Sequence, residues 1–177
     1  MKYFLLIMML FVMQNCTRQI SFKDDELSIQ RTDYLGDELR IDGYYYLIYG
    51  DGNYMSETFF YRNGMLLKGN AGLVNNIEEH ENNYSNGSFY DVVKDSKSVW
   101  GVFKVTGNKI FFEKWYPTEG PLPAYVRSGV ILNDTTFHIT EVYRMQNGEK
   151  TDLSTTDEIY HFKQFSPKPD STNVFVK

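Results

Sequence analysis

The chain has 177 residues and a formal net charge of −5, from 18 lysines and arginines against 23 aspartates and glutamates. An acidic chain of this kind has no basic footprint for nucleic acid and no clustered cations to hold an anionic lipid surface. Its length fits one domain with a sizeable core. Its aromatic content of 16% favours strands, in which tyrosine and phenylalanine pack well.

The N-terminus has the pattern of a secretory signal. An uninterrupted apolar run over residues 3–13 follows Lys2. Gln14 and Asn15 separate this run from Cys16, the single cysteine of the chain. A positive end, a short apolar core and a terminal cysteine are typical of a bacterial lipoprotein signal peptide. The run is shorter than the roughly 20 apolar residues that cross a bilayer as a helix. A short membrane anchor and an ordinary secretory signal with a chance cysteine are the alternatives.

This interpretation predicts a signal peptide over residues 1–15 and acylation of Cys16 with diacylglycerol and a further fatty acid such as palmitate. Each buried methylene contributes about 0.8 kcal/mol to membrane binding, so two or three acyl chains hold essentially permanently. Acylation also leaves the mature chain without a thiol for disulfides, catalysis or metal binding. Residues 16–38 are polar and without sustained periodicity, which predicts a tether between the lipid and the folded domain.

From residue 39 onward, aromatic and β-branched runs alternate with turn signals at short spacing. The clearest turn is Asn63-Gly64, because both residues tolerate the positive φ of a tight hairpin. Residues 73–98 are instead rich in Asn, Glu and Ser, and predict a loop followed by one short helix over residues 89–95. The predicted strands cover residues 39–49, 55–61, 65–68, 99–106, 109–116, 124–132, 135–144 and 158–165.

This order predicts an all-β fold over residues 39–177, with about eight mainly antiparallel strands closed as a meander barrel and one short helix. A β-sandwich is the alternative. Small eight-stranded barrels either fill their interior with side chains or hold one small ligand. The sequence leaves both open, and we favour a filled or nearly filled interior. The aromatic residues that would line a cavity are Tyr44, Tyr46, Phe111, Trp115, Tyr116 and Tyr125.

Side-chain patterns of catalysis or metal binding do not stand out. His80, His138 and His161 are far apart in sequence, and none has a partner at metal-ligand spacing. No nucleophile elbow, zinc motif or phosphate loop occurs. Glu113 and Glu141 lie within aromatic strands, where an outward-pointing carboxylate is the default. We therefore predict a protein that is not an enzyme and that carries no metal or cofactor. An enzyme would require Glu113, Glu141 or His138 to meet in a cleft.

The whole mature domain resembles the lipocalin-like lipoproteins of Bacteroidetes, most of which have no assigned function. The resemblance rests on the anchor signal, the strand count, the Ser98-Val99-Trp100-Gly101 start of a central strand and the tail over residues 165–173. True lipocalins carry Gly-x-Trp on their first strand, and the nearest match here is Gly43-Tyr44-Tyr45. The usual lipobox of a lipoprotein has Gly, Ala or Ser just before the cysteine, where this chain has Asn15. The resemblance defines no ligand-binding residue that can be carried over.

The anchor signal, the aromatic strands and the lack of a catalytic pattern predict a lipid-anchored β-barrel of the cell envelope that binds a small apolar or amphipathic ligand or acts as an accessory subunit. Thr17, next to the cysteine, resembles an outer-membrane address, facing either the periplasm or the surface. The alternative is a surface module that binds a protein or glycan partner through the loops at residues 73–98 and 117–123. Thr135 and Ser171 follow aspartates as in the O-glycosylation sites of some Bacteroidetes, and such pairs are also ordinary turn chemistry.

Overall fold

Residues 23–177 are described by a computed structural model. The predicted signal peptide, Cys16 and the start of the predicted tether lie outside the described residues. The strands are β1 (Gly43–Tyr49), β2 (Tyr54–Phe60), β3 (Met65–Leu73), β4 (Trp100–Thr106), β5 (Lys109–Trp115), β6 (Ala124–Asn133), β7 (Thr136–Gln146) and β8 (Glu149–Gln164). Each strand pairs with the next, and antiparallel pairing of β1 with β8 closes the sheet into an eight-stranded barrel. The predicted all-β meander barrel is confirmed, and the sandwich alternative is wrong.

A helical excursion connects β3 to β4. It contains α1 (Ile77–Ser85) and α2 (Ser88–Val93), with 3₁₀ turns at Val74–Asn76 and Lys97–Val99. The helix predicted over residues 89–95 corresponds to α2, whereas α1 was predicted to be loop. The physical reason is that α1 buries only His80 and Tyr84 among its nine residues, so its sequence lacks an apolar stripe.

The barrel wall separates two hydrophobic cores, because alternate residues of a strand face opposite sides of the sheet. The inner core draws buried side chains from strands all around the barrel: Tyr45, Phe60, Leu66, Phe103, Ile110, Phe112, Phe137, Ile139 and Tyr160. The outer core lies between the wall and the segments that cover it, and contains Tyr44, Phe59, Leu67, Tyr84, Phe89, Trp100, Trp115 and Val176. This second core explains why several strands are apolar on both faces.

One end of the barrel, which carries the β2–β3, β4–β5 and β6–β7 turns, is closed by the chain that precedes β1. Tyr34 and Leu39 are buried there as part of the inner core. The backbone N–H of Tyr34 donates to the carbonyl of Arg62 at 2.8 Å. The Tyr45 hydroxyl donates to the carbonyl of Asp134 at 2.8 Å. We call this the closed end, and the opposite end, with the β1–β2, β5–β6 and β7–β8 connections, the open end.

The start of the described chain is bound to the barrel rather than free. The buried carboxylate of Glu113 accepts hydrogen bonds from the backbone N–H groups of Ser28 at 2.7 Å and Ile29 at 2.8 Å. The Asp25 carboxylate accepts from the backbone N–H of Ala124 at 2.9 Å and from Arg144 at 2.8 Å. From residue 23 onward, the segment predicted as a tether over residues 16–38 is therefore part of the folded unit.

We expect Glu113→Ala to lower the free energy of unfolding by about 2 kcal/mol, because hydrogen bonds to a charged acceptor contribute about 1.5–3 kcal/mol each and packing contacts replace part of the loss. Glu113→Gln is the matched control, since its carbonyl oxygen can still accept from both backbone groups. Urea denaturation measures the stability, and the rate of tryptic cleavage after the exposed Arg31 reports release of the segment. Equal cleavage rates in the two variants would contradict this role of Glu113.

Candidate ligand-binding site

The open end of the barrel contains a cavity of about 550 Å³. This volume falls in the range of about 300–1,000 Å³ that ligand pockets occupy. Its lining comes from β1, β2, β3, β5, β6 and β8 and from the residue after β5. The apolar and aromatic part of the lining includes Leu47, Leu66, Phe112, Tyr116 and Tyr160, and the polar part includes Ser56, Thr58, Lys68, Lys114, Arg127 and Glu158.

Aromatic rings fill the barrel below this cavity. Phe137 stacks on Tyr160 with ring centroids 4.7 Å apart, and its ring lies 6.2 Å from that of Phe112. Phe60 packs against Phe103 at 4.6 Å. The expectation of a filled interior therefore describes the half of the barrel next to the closed end. The half next to the open end is a cavity with an aromatic floor.

The strand period explains why cations point into this cavity. Lys68 follows the inward Leu66 by two residues on β3, and Lys114 follows the inward Phe112 by two residues on β5. Both strands run toward the open end. The inward positions therefore change from apolar near the floor to cationic one step nearer the mouth.

Lys68 is held by neutral acceptors. Its Nζ donates to Ser56 Oγ at 2.6 Å and to the carbonyl oxygen of Glu57 at 2.8 Å. Burial lowers the pKa of Lys68 to about 8, and repulsion from Arg127 acts in the same direction against the attraction of the Glu57 carboxylate. The side chain thus holds a positive charge that its surroundings stabilise less well than water.

Lys114 has a similar environment. Its Nζ donates to the carbonyl oxygen of Trp115 at 3.0 Å and to that of Ser98 at 3.3 Å, and it lies 3.6 Å from the ring centroid of Tyr116. Burial, together with repulsion from the charges of Lys68 and Arg127, lowers the pKa of Lys114 to about 7. The residue is only 9% exposed.

Of the three cations that line the cavity, Lys68, Lys114 and Arg127, only Arg127 has a carboxylate partner there. Its Nε donates to Glu158 Oε2 at 3.1 Å, and the Tyr160 hydroxyl donates to the same oxygen at 3.2 Å. Within residues 23–177, Lys68 and Lys114 form no ion pair with a carboxylate. Three cations, Lys68, Lys114 and Arg127, line the cavity with only two carboxylates, Asp157 and Glu158, so its lining has an excess of positive charge, although the chain as a whole is acidic.

The aromatic residues predicted to line a cavity lie on both sides of the wall. Tyr116 lines the cavity, and Tyr125 packs against it with ring centroids 5.4 Å apart. The other four lie on the outer side of the barrel, in or against the outer core or at an outward strand position between inward neighbours: Tyr44, Tyr46, Phe111 and Trp115. The sequence analysis missed Lys68, Lys114 and Arg127, although a cation two residues after an inward apolar position was a signal for the two lysines.

The acids and histidines considered for catalysis have separate partners. Glu113 binds the N-terminal segment, Glu141 pairs with Lys150 at 2.8 Å, and His138 pairs with the exposed Asp157 at 2.7 Å. A second buried group lies under α1, where Glu57 accepts a hydrogen bond from the Tyr84 hydroxyl and lies 3.0 Å from Nδ1 of His80. These contacts fasten the helix to the outside of the barrel. Residues 23–177 contain no cluster of His, Cys, Asp and Glu that could hold a metal ion.

Comparison with known proteins adds no relative. No protein family, no curated protein and no solved structure matches this chain. Within the described part of the chain, none of the helices has the length and apolar character needed to cross a membrane. The resemblance to lipocalin-like lipoproteins stays a prediction, and the functional argument rests on the barrel and its cavity.

Proposed function

We propose that this protein is a lipid-anchored, non-enzymatic β-barrel of the bacterial outer membrane that binds one small amphipathic ligand inside the barrel. The observation that carries the proposal is the cavity of about 550 Å³ at the open end. Its lining combines apolar walls with a few convergent polar groups, which is the usual composition of a small-molecule site. A ligand with one apolar and one polar part matches both halves of this lining.

The apolar walls supply the affinity in this proposal. Leu47, Tyr116 and Tyr160 come from β1, from the residue after β5 and from β8, and they face the same space. Transferring an apolar chain from water onto such walls contributes about 25 cal/mol for each Å² of apolar surface removed from water. The polar groups then fix the orientation of the ligand, because a buried polar atom without a partner is costly.

The proposed anchor would lie near the open end. The backbone N–H of Asp25 donates to the carbonyl of Leu122 in the β5–β6 connection, which belongs to that end. Fully extended, the chain from Cys16 to Lys23 reaches at most about 25 Å. An acylated Cys16 would therefore hold the mouth of the cavity close to the membrane, where amphipathic molecules are concentrated.

The predicted binding of a protein or glycan partner through residues 73–98 or 117–123 stays a prediction. Both segments are partly used within the fold, since Tyr84 and Phe89 belong to the outer core and Leu122 packs against it. The cavity is a more specific feature than either segment, so we place ligand binding first.

To test ligand binding, we would fill the cavity from its wall. Leu47→Trp adds volume inside the mouth, whereas Leu132→Trp adds the same volume at a position that is 56% exposed on β6. With 1-anilinonaphthalene-8-sulfonate as a fluorescent amphiphile, we expect the Leu47 variant to bind about 10-fold more weakly, a change of about 1.4 kcal/mol. The Leu132 variant should bind like the wild type. Equal affinities in the two variants, or no binding to the wild type, would contradict the proposal.

A further inference from the structure

The charge inside the barrel is unbalanced in a way that folding alone does not explain. Lys68 and Lys114 are bound only to carbonyl and hydroxyl oxygens, while the Glu158 carboxylate is already shared by Arg127 and Tyr160. A buried charge without a counter-charge is costly, and an apolar side chain of similar size at the same place is often more stabilising. Lys114 is buried and Lys68 is half-buried, and the charge of Lys68 adds repulsion at Lys114 to this cost.

Each ammonium also has hydrogen-bonding capacity to spare. A lysine Nζ has three N–H donors. Within the described residues, Lys68 uses two acceptors, Ser56 Oγ and the Glu57 carbonyl, and Lys114 uses the carbonyls of Trp115 and Ser98. One donor on each lysine is left for a ligand atom in the cavity that both line. An anion between them would accept both and would offset both charges.

The position of the lysines sets the direction of the ligand. They lie one inward step above the apolar floor, and the lining continues from them toward the mouth through Leu47 and Tyr49. At the rim, Tyr49 is 43% exposed and stacks on Tyr54 with ring centroids 5.8 Å apart. An apolar chain that started at the lysines would follow these side chains outward.

Building on the ligand-binding function proposed above, we propose that the ligand is a single-chain amphiphile with a negatively charged carboxylate or phosphate head group. Lys68 and Lys114 bind the head group inside the barrel, with the chain directed to the mouth. Arg127 contributes positive potential and remains paired with Glu158.

The test compares amphiphiles that share a twelve-carbon chain and differ in the head group: laurate, dodecyl phosphate, dodecanol and dodecyltrimethylammonium, each below its aggregation concentration. The protein carries Cys16→Ser, so that no acyl chain of its own can enter the cavity. At pH 7 we expect calorimetry to show laurate and dodecyl phosphate binding at least about 10-fold tighter than dodecanol. The cationic amphiphile should bind most weakly.

Variants separate the head-group site from the apolar walls. Lys68→Met and Lys114→Met keep the length of the side chain without its charge, and we expect each to reduce the preference for laurate over dodecanol several-fold. Lys104→Met is the matched control, because it removes one positive charge from an exposed strand position outside the cavity. It should leave the preference unchanged.

The pH dependence gives an independent readout. The titratable and charged groups that face the cavity are Tyr49, Lys68, Lys114, Tyr116, Arg127, Asp157, Glu158 and Tyr160. Among them, Lys114 and Lys68 have pKa values lowered to about 7 and about 8, so between pH 7 and pH 9 they release most of the protons that they still hold at pH 7. We expect laurate affinity to fall by about 10-fold or more over that interval, whereas dodecanol affinity stays constant.

The outcomes distinguish the two proposals. If dodecanol and laurate bind equally tightly to the wild type, the head-group assignment is wrong and ligand binding in the cavity stands. If none of the four amphiphiles binds, both proposals are wrong. Inorganic phosphate is the last arm: if it binds as tightly as dodecyl phosphate, the cavity is an anion site and the amphiphile assignment is wrong.

Discussion

Replacing Phe137 with alanine is expected to lower the free energy of unfolding by about 4 kcal/mol. Phe137 is fully buried, and its ring packs against those of Tyr45, Phe60, Phe112 and Tyr160 at centroid distances of 5.0, 6.0, 6.2 and 4.7 Å. The substitution removes the transfer free energy of a phenyl ring and leaves a void that rings held by four different strands cannot fill. Urea denaturation followed by circular dichroism measures the change.

The same substitution is expected to weaken ligand binding, because Phe112 and Tyr160 line the cavity and rest on Phe137. Ile159→Ala is the control. Ile159 is 41% exposed next to Tyr160 on β8, and its truncation should cost less than about 1 kcal/mol. Similar losses of stability in the two variants would show that Phe137 is not central to the inner core.

The sequence was sufficient for the antiparallel order of the strands, with a sandwich left as the alternative to the barrel, because its turns and strands have local causes. Gly64 has a φ of 76°, as the Asn63-Gly64 hairpin requires, and the Gly107 turn between β4 and β5 has a φ of 58°. Short connections of this kind force neighbouring strands to be antiparallel. Closure of β1 on β8 then follows from strand number and twist rather than from any particular residue.

The face of each strand that lines the cavity could not be predicted, because both faces are buried. Trp115 lies on the outer side, where its indole N–H donates to the backbone carbonyl of Asp25 at 2.7 Å, and Tyr44 lies under α1, where its hydroxyl donates to Glu81 at 2.9 Å. Segments remote in sequence cover these residues. An alternating pattern identifies a face as apolar, and long-range packing decides which apolar face is inside.

The sequence underestimated the length of strands whose ends are paired in the sheet while their side chains are exposed. β8 begins at Glu149 rather than near residue 158, because the mostly exposed residues 149–157 pair with β7 down to Gln146. β3 likewise continues beyond Lys68 as far as Leu73, opposite β2. Polar residues in such extensions carry no hydrophobic period, so the sequence predicted turns or linkers there.

The cavity lysines illustrate a different limit. A lysine within a strand is normally solvated, and nothing at Lys68 or Lys114 alone distinguishes an inward side chain from an outward one. The distinguishing feature is register, since each lysine follows an inward apolar residue by two positions, and this register becomes certain only when the direction of Leu66 and Phe112 is known.

Without ligand, the protein is expected to become more stable as the pH rises from 7 to 9. Burial lowers the pKa of Lys114 to about 7 and the pKa values of Lys68 and Lys168 to about 8, against an ordinary value of 10.5. Over this interval the unfolded chain keeps protons that the native lysines have released, so the free energy of unfolding increases with pH. Each fully titrated group contributes up to about 1.4 kcal/mol per pH unit.

Lys114→Met isolates the largest part of this slope. We expect the variant to be more stable than the wild type at pH 7 by about 2 kcal/mol and to lose much of that advantage by pH 9, because the free energy needed to remove the proton from Lys114 on folding falls as the pH rises. Lys104→Met changes the net charge equally and should run parallel to the wild type in urea denaturation at each pH. Parallel curves for Lys114→Met and the wild type would contradict a buried, uncompensated charge.

Laurate connects this stability effect to the proposed function. An anionic head group beside the lysines would raise their pKa values toward the ordinary range. Laurate should therefore stabilise the wild type most at pH 7, and the free energy of unfolding of the complex should depend less on pH. Dodecanol would stabilise the protein equally at each pH, so it would leave the slope of the free energy of unfolding against pH unchanged. The buried charges of the two lysines lower the stability of the protein, and only an anionic ligand would remove this effect. This property distinguishes a barrel that binds an anionic ligand from a barrel whose interior is only incompletely filled.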